Sequence, residues 1–100
     1  MKEVILSADG DSYVYRVPDD VAENLSDYCI EFCDRWMKTG PEAKKYKIRG
    51  GCCFDQSDFI DYLNRYVIPD ERSVLVKNLG DTNLGKKLPA AYKNHPYFNF

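Results

Sequence analysis

The residue types best able to do chemistry in this chain are its four cysteines, and they come in two pairs. Cys29 and Cys33, in "YCIEFCDRW", are four residues apart, a spacing that sets two side chains on one face of a helix, where they could clamp a metal ion. Cys52 and Cys53, in "RGGCCFDQSDF", are adjacent and follow Gly50 and Gly51. Adjacent cysteines chelate poorly, because neighbouring side chains do not both turn inward without strain, and tetrahedral sites space their ligands by two to four residues. Cys29 also falls on an apolar helical stripe, with Cys33 at its edge, and free cysteine is among the residue types most often buried. Three readings stand side by side: inert packing, a metal pair, or a reactive thiol at Cys52 or Cys53 beside the glycine turn. His95 is the one histidine. It could act as base to Cys52 or Cys53 only if the C-terminal tail delivered it to hydrogen-bond reach. There is no Cys-x-x-Cys, no two-histidine metal motif, no glycine-rich phosphate loop and no nucleophile elbow. The expectation is a protein with no catalytic residue, no cofactor and no metal, hence not an enzyme; the alternative is a thiol-based enzyme or redox sensor using Cys52 or Cys53.

Carboxylates form the second constellation. Glu23, Asp27, Glu31 and Asp34 recur at helical spacing on one face, with Asp20 close by. Four like charges along a helix repel one another and slightly weaken it. The plain reading is a solvated face that keeps the protein in solution. The functional reading is a docking face for a basic partner, with Asp55, Asp58 and Asp61 extending the patch if two helices pack side by side. The tail "YKNHPYFNF" offers the opposite kind of surface, since Tyr and Phe bury much area with few torsions. It either packs on its own domain or meets a second copy in a homodimer through the aromatic tail.

The elements that must position these residues follow from pattern. "EVILS" and "SYVYRV" are β-branched and aromatic, and Asp9-Gly10 between them tolerates positive φ, which predicts a hairpin over residues 2–17. Tyr13, Tyr15 and Val17 point to one face, Val14 and Arg16 to the other. Residues 19–38 predict a helix with Asp19 as N-cap and Lys38 in the last turn, burying Val21, Leu25, Cys29, Phe32 and Trp36, the stripe widened by Ala22, Tyr28 and Cys33. Residues 41–51 read as a basic connection and "CCF" as a short extended piece. Residues 56–68 predict a second helix, capped by Asp55, burying Phe59, Ile60, Leu63, Tyr66 and Val67, and ended by Pro69. Residues 70–80 read both ways: Val74-Leu75-Val76 favours a strand, but acids in front and Gly80 behind tip the reading to a short helix. The last twenty residues show no periodicity and predict an irregular tail that docks through its aromatics. The expected fold class is α+β: an N-terminal β-hairpin, within a small antiparallel sheet if a third strand joins, packed by two amphipathic helices with an irregular aromatic C-terminal tail.

Size and charge bound the function. One hundred residues, 44% hydrophobic, suit one domain over residues 1–100 that builds a core without disulfides. The apolar run Val4–Leu6 is too short for a signal-peptide core, and no segment approaches the length of a membrane span, so a cytoplasmic location with reduced thiols is expected and no membrane partner. The net charge is −2, with residues 1–40 at −5, 41–50 at +3, 51–75 at −3 and 76–100 at +3. An acidic total argues against nucleic acid as a partner. The stretch "ILSADGDSYVYRVPDDVAENLSDYCIEFCDRW" and the closing "YFNF" resemble a group of short bacterial proteins of unassigned activity. That resemblance implies a bacterial, cytoplasmic, single-domain protein and carries over no functional residue. The reading favoured by the residues is a small, acidic, non-catalytic protein-interaction module, such as an inhibitor or immunity-type protein, that binds a basic site on a partner through Glu23, Asp27, Glu31 and Asp34.

Overall fold

The computed structural model describes residues 1–39, 54–82 and 86–100, together with the backbone of 47–48 and 51–52. Strands β1 (Lys2–Ala8) and β2 (Asp11–Val17) pair antiparallel from Lys2↔Val17 to Ala8↔Asp11. The turn between them has positive φ at both Asp9 (55°) and Gly10 (92°), the two-residue geometry whose twist matches a hairpin. Helix α1 is Asp19–Glu23. Helix α2 opens as Leu25–Ile30, widens into a π-helical stretch over Glu31–Trp36 and closes as Met37–Thr39. Two short strands, β3 (Lys47–Ile48) and β4 (Gly51–Cys52), pair antiparallel as a separate ribbon. Helix α3 is Gln56–Tyr62 and continues as a π-helical stretch over Leu63–Val67. Strand β5 (Val74–Asp81) and the short strand β6 (Tyr97–Asn99) complete a four-stranded mixed sheet of order β5-β2-β1-β6, with β6 parallel to β1 and the rest antiparallel. The fold is α+β.

The hairpin's two faces do different jobs. On one face Val4, Leu6, Tyr15 and Val17 meet Val21, Ala22, Leu25, Cys29 and Phe32 from the first two helices and Phe59, Ile60, Tyr62 and Leu63 from α3. Phe32 is the hub of this core, with ring centroids 5.0 Å from Tyr62, 5.4 Å from Phe54, 5.6 Å from Phe59 and 5.7 Å from Trp36. On the other face Ile5 and Val14 pack with Leu88, flanked by Leu79, Tyr92 and Tyr97. The chain after β5 therefore crosses the outer face of the sheet before it returns as β6. The tail is a docked segment: it holds a 3₁₀ turn at Ala90–Tyr92, and Phe98 and Phe100 pack against the main core.

Several expectations are corrected. Residues 74–81 are a strand, not a helix, because the β-branched run finds a partner in β2 that no local cap signal could reveal. Asn64 fixes the entry to that strand: its Nδ2 donates to Ser73 O (3.0 Å) and its Oδ1 accepts from Ser73 N (2.7 Å). Asp19 is not the N-cap; Pro18 holds that position and Asp19 lies in the first turn. The π-helical bonding changes which residues face inward. Met37 N–H bonds Phe32 O, five residues back, so Met37 takes the buried place that α-helical spacing assigns to Trp36, which is only partly buried. In the same way Ile68 N bonds Leu63 O (2.9 Å), and Tyr66 is 44% exposed instead of buried. The Asp55 cap holds as expected, and more fully. Its carboxylate accepts from Ser57 N and Asp58 N, while Asp58 accepts from Asp55 N at 2.9 Å, a reciprocal capping box.

Candidate functional site

The acidic residues of α1 and α2 are not one unbroken stripe. Asn24, at φ −126° and ψ 39°, interrupts the helix. Its side chain donates to the backbone and carboxylate oxygens of Asp20 at 3.1 and 3.0 Å. Asp20 also accepts from the Tyr28 hydroxyl, and that bond, ahead of burial, pushes the Tyr28 phenol up from its ordinary range. Asp20 is thus consumed within the helix. Glu23 pairs with Lys2 at 2.9 Å, and the hydrogen bond and charge of Glu23 push the Lys2 ammonium up. Glu31 meets Arg35 one turn on, at 3.4 Å. Asp27 and Asp34 are exposed and have no ion-pair partner among the described residues. The π-helical stretch turns Asp34 away from the line of Asp27 and Glu31, since more residues fill each turn. Of the acids on α3, Asp55 and Asp58 serve the capping box, and burial pushes the Asp58 carboxyl up; Asp61 stays exposed.

The break at Asn24 opens a groove. Ala22, Glu23, Asn24, Leu25, Ser26 and Asp27 wall a hollow of about 350 Å³ that Pro96 and Tyr97 close from the tail. Two of the four singled-out acids, Glu23 and Asp27, stand at it. The Tyr97 hydroxyl is shielded from solvent and has no hydrogen-bond partner. The Tyr97 side chain packs with Ile5 and Val14 on the outer face of the sheet, so what the groove itself offers is the two carboxylates, which suit a cationic side chain.

The thiols of α2 are a different matter. Cys29 is fully buried in the core, and burial first, then neighbouring Cys33, drives its thiol far above the ordinary range. Cys33 is partly buried, and burial, with the charge of Asp34, pushes it up to about 11. Both are free cysteines, and burial holds them in the protonated form, which is a poor nucleophile. The side chain of Cys52 and the whole of Cys53 lie outside the described residues, so the reactive-thiol expectation falls there. His95 rests against Tyr92 at 5.3 Å between ring centroids, with its Nε2 3.8 Å from Glu3 Oε1. Among the described residues no three His, Cys, Asp or Glu side chains gather as a metal-holding group. No helix among them is long and apolar enough to cross a membrane.

Two features escaped the sequence. Tyr97 reaches the groove at Glu23 from more than seventy positions away, which no local pattern encodes. A second groove, of about 280 Å³, lies between α3 and β5, lined by Tyr15, Ile60, Asn64, Ser73 and Leu75 among others. The apolar run Val74–Val76 was its only signal. Compared with family models, curated proteins and solved structures, the chain matches none.

Proposed function

We propose that the protein is a non-catalytic interaction module whose acidic face, carried by Glu23, Asp27, Glu31 and Asp34, receives a basic site on a partner protein, in the manner of a small inhibitor or immunity-type protein. The observation that carries this reading is the groove at Asn24, where Glu23 and Asp27 stand on one wall. A lysine or arginine of the partner would enter it, its charge met by the two carboxylates. Asp27 and Asp34, lacking counterions among the described residues, add long-range attraction that speeds encounter and is screened by salt. A reducing cytoplasm fits this role, because the buried thiols of α2 stay thiols there.

The test has two arms. Replacing Glu23, Asp27, Glu31 and Asp34 by their amides should abolish or slow capture of the partner from a native-host lysate and flatten its salt dependence. Asp27→Asn alone, at an exposed carboxylate with no ion-pair partner among the described residues, should leave stability within ~0.5 kcal/mol of wild type while weakening the same capture. A partner held equally well at low salt by the wild type and the quadruple variant would end this reading.

A further inference from the structure

Strand β5 is an edge strand, hydrogen-bonded to β2 on one side only among the described residues. Such a strand presents a row of unpaired main-chain groups, and proteins blunt these edges with bulges, lysines and charges. The ladder between β2 and β5 slips twice, leaving Leu79 and Val76 as extra residues, and Lys77 stands between them. The strand nevertheless opens on an apolar run: Val74 is 41% exposed, Leu75 54% and Val76 40%. Three consecutive exposed apolar residues are unusual on a soluble surface unless something covers them. Leu75 lies opposite Tyr15 in the ladder, on the helix side of the sheet, and borders the groove between β5 and α3. Ser73, on the same groove, is 3% exposed, and its Oγ has no hydrogen-bond partner.

We propose that this edge is a homodimer interface: β5 of a second copy runs antiparallel along β5, joining two sheets into one of eight strands. The charges around the apolar run are complementary to themselves under a two-fold axis. Asp70 and Glu71 precede it and Lys77 follows it. At a register centred on Val74, each copy's Glu71 lies opposite the other copy's Lys77. A parallel arrangement would set like against like. The two-fold also places both copies' Leu75 on the same face, between the two α3 helices, where they fill the paired grooves. This surface is separate from the acidic groove at Asn24, so the interface leaves that groove open.

The experiment is sedimentation velocity on the full chain from about 1 to 500 µM, with circular dichroism to confirm folding. The wild type is expected to shift from monomer to dimer across that range, and Leu75→Lys to remain monomeric while folded. Glu71→Lys should weaken the dimer about 3- to 30-fold, the range for two exposed ion pairs lost and turned repulsive. Adding Lys77→Glu to Glu71→Lys should restore it. Both positions are exposed, so these variants read the interface even if Leu75→Lys were to unfold. A wild type that stays monomeric to 500 µM overturns the proposal. So does a dimer whose affinity is unchanged by Leu75→Lys or by Glu71→Lys, which would place the contact elsewhere, such as at the aromatic tail.

Discussion

Alkylation of the α2 thiols tests how the core treats its most reactive atoms. The thiolate is the attacking species, so the rate follows its population. Raising a thiol from 9.0 to about 11, as burial and Asp34 do for Cys33, lowers the thiolate fraction near neutral pH about a hundredfold. Cys29 has no exposed surface and is held protonated more strongly, so a reagent reaches it only through opening of the helix layer. With opening free energies of several kcal/mol in a core element, Cys29 should react at least about a thousandfold more slowly than in the unfolded chain. The assay is iodoacetamide at pH 8, quenched over time, with the peptides holding Cys29 and Cys33 read separately by mass spectrometry and the denatured protein as reference. The Cys33 rate should climb about tenfold per pH unit without a plateau below pH 10. Modification of Cys29 in the folded protein within tenfold of its denatured rate would refute the reasoning, and would add the α2 thiols to Cys52 and Cys53 as candidate nucleophiles.

Three further outcomes follow from the packing. Phe32→Ala should lower stability by about 3–5 kcal/mol, since it removes the ring against which the aromatics of both helices pack, and chemical denaturation showing less than ~2 kcal/mol would put the centre of the core elsewhere. Asp55→Ala should cost about 0.5–2 kcal/mol through the capping box, whereas Asp58→Asn, which keeps an acceptor for Asp55 N and removes a partly buried charge, should stay within ~0.5 kcal/mol of wild type in the same titration. Cys29, Cys33, Tyr15 and Tyr62 are all pushed up by burial, so their neutral forms favour the fold. From about pH 8.5 upward the unfolded chain releases these protons first, and thermal midpoints should fall steadily as pH rises from there toward 11; a flat profile would contradict the burial of these groups.

Local signals carried much of this fold. Asp9-Gly10 named the hairpin turn because only residues tolerant of positive φ fit there, and Asp55 named the start of α3 because a carboxylate satisfies its free N–H groups. The misses have two physical roots, tertiary pairing that overrode local preference and helix geometry that departs from the α-helix. Asp70, Glu71 and Gly80 imitated helix caps, yet Gly80, at φ 70°, pairs with Ser12 inside the bulged ladder of a strand. The π-helical stretches shifted the buried register from Trp36 to Met37, and nothing in the spacing of apolar residues distinguishes that from an α-helix with a wider stripe. For the site, helical spacing was enough to group the acids. It could not show that Asn24 breaks the helix, that Asp20 is consumed by Tyr28 and Asn24, or that Tyr97 closes a groove beside Glu23 and Asp27. Those relations are long-range or depend on backbone geometry.

The most direct test of the central proposal is the salt dependence of partner capture at the acidic face. Wild-type protein and the variant carrying Glu23→Gln, Asp27→Asn, Glu31→Gln and Asp34→Asn would be presented to the same native-host lysate across a salt series. The proposal predicts a partner that the wild type holds at low salt, releases progressively as salt rises, and that the variant fails to hold at any salt. A partner retained by both proteins with the same salt profile would contradict it.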